Sequence, residues 1–90
     1  MNADVFSFPG KKPNLKQCTA QAKRMAKAGA DHIELQWGEN WLQLEKISGF
    51  WQGFGFIRDI DAGIIARKLN HSDIDPVQFM REHFQVIHIK

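Results

Sequence analysis

What this chain lacks narrows it quickly. Its 90 residues contain a single cysteine, Cys18, so no internal disulfide can form, a usage that fits a reducing cytosol. No run approaches the roughly 18 consecutive apolar residues of a membrane span. The opening Met-Asn-Ala-Asp-Val-Phe has no basic segment followed by an apolar one, so no secretion signal is expected. Repeats and low-complexity tracts are missing, as are a phosphate-binding loop, a nucleophile elbow and a dinucleotide fingerprint. His32, His71, His83 and His88 are scattered, and no Cys/His spacing matches a zinc site. Asp59/Asp61 and Asp73/Asp75 are paired carboxylates, which helix capping explains without chemistry. These absences predict a cytoplasmic, non-enzymatic protein with no cofactor, no metal and no membrane segment.

What is present is a single small folding unit. Ninety residues leave no room for a second core, and 43% hydrophobic with 24% charged residues is ordinary for a folded domain. The net charge of +2 conceals a segregation. Residues 1–30 hold Lys11, Lys12, Lys16, Lys23, Arg24 and Lys27 against Asp4 alone. Residues 31–66 hold Asp31, Glu34, Glu39, Glu45, Asp59 and Asp61 against Lys46 and Arg58. A chain polarised in this way can offer a basic surface to an anionic partner without being basic overall.

The hydrophobic spacing predicts an α+β fold. Val5 to Phe8 can form a short strand, ended by Pro9-Gly10. A helix is expected over about 15–28, with Asn14 as cap, Gln17 at the capping-box position and Gly29 as stop. Its Leu15, Cys18, Ala22, Met25 and Ala26 make one apolar stripe, leaving Lys16, Lys23 and Lys27 on the other side with Arg24 beside them. Residues 32–47 alternate as a hairpin, whose apolar sets are expected to match through Trp37 opposite Leu42 and Leu35 opposite Leu44. That register sets Glu34 opposite Glu45, a mildly unfavourable pair. A third strand, Phe50 to Ile57, follows a tight Ser48-Gly49 turn, which places Gly53 opposite Leu44, Gly55 opposite Leu42, Phe54 beside Gln43 and Phe56 beside Trp41. Asp59 or Asp61 can cap a second helix to about Leu69, and Asp75-Pro76 can start a third through Phe84, with residues 85–90 as a possible last strand. The expected domain is thus an N-terminal helix on a three-stranded antiparallel meander, then one or two C-terminal helices.

Within the third strand, Gln52 to Asp59 reads Gln-Gly-Phe-Gly-Phe-Ile-Arg-Asp. This resembles the aromatic strand signature of the RNA-recognition motif, in which two alternate rings stack on bases. Phe54 and Phe56 take those positions, and Val-Phe-Ser-Phe at 5–8 resembles that family's partner strand. Gln52 stands where the family has a basic residue, and Asp59 where it has a last aromatic. Against an exposed platform stands the burial requirement of the C-terminal helices. Their apolar stripes need a receptor, and the face carrying Trp41, Ile47, Phe50, Phe54 and Phe56 is expected to supply it, with the glycines turned to the first helix.

The sequence therefore predicts a small binding protein that meets nucleic acid or a nucleoprotein complex. Lys11, Lys12, Lys16, Lys23, Arg24 and Lys27 are the expected contacts, with Trp51, Phe54, Phe56 and Arg58 as secondary candidates. The alternative is a protein-directed inhibitor or adaptor whose Glu34, Glu39 and Glu45 meet a basic protein surface. In size and character, though through no residue motif, the chain is similar to small phage and plasmid proteins that block nucleoprotein machines, such as anti-CRISPR proteins.

Overall fold

The protein is a small α+β domain, and the computed structural model describes residues 3–72. In chain order the elements are β1 (Asp4–Ser7), α1 (Leu15–Lys27), β2 (His32–Trp37), β3 (Asn40–Ile47), β4 (Phe50–Ile57), β5 (Ile60–Asp61) and α2 (Ala62–Ser72). The strands form one sheet in the order β1-β2-β3-β4-β5, with β1 parallel to β2 and every other neighbour antiparallel. The expected meander is its centre. The N-terminal strand extends it on one side through a crossover by α1, and the two-residue β5 extends it on the other. The third helix and last strand expected beyond residue 72 lie outside the described residues.

The first helix forms as its sequence dictates. Asn14 Oδ1 accepts from the Gln17 backbone N–H at 2.8 Å, and Gln17 Oε1 accepts from the Asn14 N–H at 2.9 Å, which completes a capping box. At the other end Gly29 takes φ +106, donates to Ala26 O and lets Ala30 donate to Met25 O, the paired bonds of a Schellman stop.

The β2–β3 register corrects the sequence expectation. Leu35 pairs with Leu42, Ile33 with Leu44 and Trp37 with Asn40, around a two-residue turn at Gly38-Glu39. Gly38 occupies the first central position at φ +58, where a tight hairpin turn requires a left-handed residue. A turn at Glu39-Asn40 would have put glutamate there. The shift also dissolves the like-charge pair, because Glu34 now faces Gln43 and Glu45 faces His32. The β3–β4 register is the expected one, with Gly53 opposite Leu44, Phe54 opposite Gln43, Gly55 opposite Leu42 and Phe56 opposite Trp41.

Both helices pack on the same side of the sheet. Cys18 and Ala22 of α1 and Ala62, Ile65, Ala66 and Leu69 of α2 share one buried core with Ile33, Leu35, Leu42, Leu44, Trp51, Ile57 and Ile60. This overturns the expectation that the second helix covers the phenylalanines. The reason lies at Gly53: a Cβ there would collide with the Ala62 carbonyl, so the missing side chain admits the first turn of α2, rather than α1, against β4. Asp61 fixes that turn by accepting from the Gly63 N–H at 2.9 Å. At the far end of α2 the Asn70 amide accepts from Trp51 N–H at 2.7 Å and donates to Trp51 O at 3.1 Å, pairing with β4 as another strand would. The opposite side of the sheet receives neither helix.

Candidate functional site

The basic residues expected on α1 gather partners from α2. Lys16 and Lys23, seven residues apart and so about 10 Å along the helix, line a groove of about 820 Å³ with Asn14, Leu15, Thr19 and Ala20. Lys68 and His71 of α2 line it from the other side. The two helices together carry Lys16, Lys23, Arg24, Lys27, Arg67 and Lys68, with no acid and no Phe, Tyr or Trp among them. The apolar spacing of Ile65 and Leu69 marks Arg67 and Lys68 as exposed, but not which helix they face. That depends on the packing of α2 beside α1, for which Gly53 is the only local sign.

The other expected contacts divide. Arg24 and Lys27 continue the α1 stripe in solvent, where the Arg24 guanidinium donates to Gln21 Oε1 at 2.6 Å and 3.2 Å. Lys11 is exposed in the loop ahead of α1. Lys12 is drawn away, its Nζ 3.1 Å from Asp59 Oδ1 in the β4–β5 turn. The lysine hydrogen bond, the Asp59 main chain, and the charges of Lys12 and Arg58 hold the Asp59 carboxyl below its ordinary range. Beside them Arg58, left-handed at φ +58, lies 5.7 Å from the Trp37 ring, whose Nε1 donates to Gly10 O at 2.9 Å. Lys12, Trp37, Arg58 and Asp59 thus tie two loops together. Trp51 is corrected from contact to core, 3% exposed beneath Lys46.

Phe54 and Phe56 stand in solvent, 47% and 57% exposed, beside Trp41 at 49% and Phe50 at 61%. The signature rings are therefore on an open sheet face. The partner strand is not beside them: β2 and β3 separate β1 from β4. Phe6 and Phe8, whose rings meet edge-on at 4.9 Å, pack against the core instead.

No family model, curated protein or solved structure matches the chain. Among the described residues no group of His, Cys, Asp and Glu is arranged to hold a metal, and no helix is long and apolar enough to cross a membrane. Cys18 is buried, and loss of water around it raises its thiol pKa above the ordinary value. Of the two expected carboxylate pairs, Asp59 is occupied by Lys12 and Asp61 by the α2 cap, while Asp73/Asp75 lie outside the described residues.

Proposed function

We propose that this protein binds the phosphate backbone of nucleic acid with its helical face. The observation that carries this reading is the convergence of Lys16 and Lys23 with Lys68 and His71 on one groove, within a surface of two helices that bears no acid. Cations in such a row displace counterions from a polyphosphate, which makes binding strong at low salt and largely indifferent to sequence. Because neither helix offers an aromatic ring for base stacking, the reading favours a duplex, met through its backbone, over a single strand.

The test is a gel-shift series with duplex DNA, single-stranded DNA and single-stranded RNA at two salt concentrations. Duplex binding should weaken steeply with salt, with a log–log slope of about −3 to −5 for roughly four to five phosphate contacts. Absence of binding at low salt, or binding insensitive to salt, removes the proposal.

A further inference from the structure

We infer that the open face of the sheet docks an arginine- or lysine-bearing segment of a protein partner, independently of the helical face. By register the residues pointing to this side are Val5 and Ser7 of β1, His32, Glu34 and Gln36 of β2, and Trp41, Gln43, Glu45 and Ile47 of β3. Across β4 and β5 they are Phe50, Gln52, Phe54, Phe56 and Asp61. Four exposed rings and the carboxylates of Glu34 and Glu45 thus share a surface that carries no lysine or arginine, while the Asp61 carboxylate is taken up by the first turn of α2.

The sheet's own cations are held elsewhere. Lys46 sits over the Trp51 ring at 5.9 Å and Arg58 over Trp37 at 5.7 Å, and both tryptophans lie on the helical side. A face of exposed rings beside carboxylates suits a guanidinium or an ammonium, which the ring faces attract and the carboxylates bind by charged hydrogen bonds. The side chains are partly set for this. Ser7 Oγ donates to Gln36 Oε1 at 2.9 Å, and Gln36 Nε2 donates to Glu34 Oε2 at 2.6 Å, which orients one carboxylate two positions across the sheet from Phe54.

Charge decides against two other occupants. A single strand of RNA could stack on the rings, but its phosphates would meet Glu34 and Glu45 with no lysine or arginine beside them, only His32 at 3.9 Å from Glu45. A second copy docked face to face would set those carboxylates against their own kind. The chain beyond the described residues carries its own apolar side chains, Val77, Phe79, Met80 and Phe84 among them, and its seating on this face is the outcome in which the Trp41 indole is already shielded in the free chain.

The three tryptophans provide the experiment, since Trp41 lies on this face while Trp37 and Trp51 lie on the other. The ¹⁵N-labelled full chain is titrated with a short peptide alternating arginine and glycine, and with the same peptide carrying glutamate in place of arginine. The arginine peptide should move the Trp41 indole resonance and leave that of Trp51 in place, and the glutamate peptide should move neither. Glu34→Gln with Glu45→Gln, and separately Phe54→Ala with Phe56→Ala, should each weaken the arginine peptide about fivefold or more. Lys16→Glu with Lys23→Glu should leave peptide binding intact, so that failure of the helical-face reading is told apart from failure of this one. The inference is overturned by an unmoved Trp41, by full affinity in both sheet-face variants, or by oligouridine moving Trp41 where the peptide does not. A sedimenting dimer that Phe54→Ala with Phe56→Ala turns into a monomer overturns it too, as does a Trp41 indole already shielded from solvent exchange in the free chain.

Discussion

The two faces of one sheet have been given opposite chemistry. Toward the helices lie aliphatic side chains and two tryptophans, roofed by helices whose charged side chains are all cations. Away from them lie rings, amides and carboxylates. A stacking platform for single-stranded nucleic acid needs rings and cations on the same surface; here the two are separated by the thickness of the sheet. The rings of the β4 octapeptide are exposed, as an RNA-stacking reading of them requires, but no lysine or arginine stands on their face beside them.

The sharpest test of this division compares neighbours. Gly53→Val places a side chain into the Ala62 carbonyl and must lift the first turn of α2 from the sheet, which should cost more than about 3 kcal/mol. Phe54→Ala, one residue on and facing solvent, should change stability by less than about 0.5 kcal/mol. Urea unfolding of both variants checks the pair. Comparable losses would mean that the two faces are not separate layers.

On the helical face, Lys16→Glu with Lys23→Glu should weaken duplex binding about a hundredfold near 0.1 M salt, equivalent to about 2.7 kcal/mol, and flatten the salt slope by about 2. Unfolding should be nearly unchanged, because both side chains are exposed. Retained affinity would move the nucleic-acid surface off this groove.

At the β4 edge, Asn70→Ala leaves the Trp51 N–H and C=O without the amide that pairs them and should cost about 1–2 kcal/mol in a urea melt. Loss of nothing would mean that water serves that edge equally well.

Much of this arrangement was legible in local pattern. The alternation of Gly53, Phe54, Gly55 and Phe56, with a tight Ser48-Gly49 turn, fixed which residues share a side. Asn14, Gln17 and Gly29 marked both ends of α1. What local pattern did not carry was the side on which α2 would land. An apolar stripe of Ala62, Ile65, Ala66 and Leu69 fits either face, and the choice is made by the room above Gly53 and the Asn70 bonds at the edge. The same contact decided the site: it turned Lys68 and His71 toward Lys16 and Lys23 and left Phe54 and Phe56 uncovered. Lys12 reads as one more cation of the basic segment until the fold brings Asp59 to it from 47 residues away.

That ion pair gives the smallest and most specific prediction. Asp59 is exposed, and the Lys12 hydrogen bond is the largest cause of its lowered pKa. Since the folded carboxyl is the stronger acid, the fold favours its charged form. Its contribution is therefore fully present above the unfolded carboxylate range near 4, and is lost as pH falls through the lower folded value. Asp59→Asn removes the charge at every pH. The variant should melt slightly below the parent at neutral pH, and the two curves should converge in acid, where the parent's carboxyl is protonated. The gap should also shrink with salt, as it does for any exposed pair. A gap that persisted in acid would assign the loss to the turn itself, where Arg58 already holds a left-handed backbone over Trp37, and not to the charge it shares with Lys12.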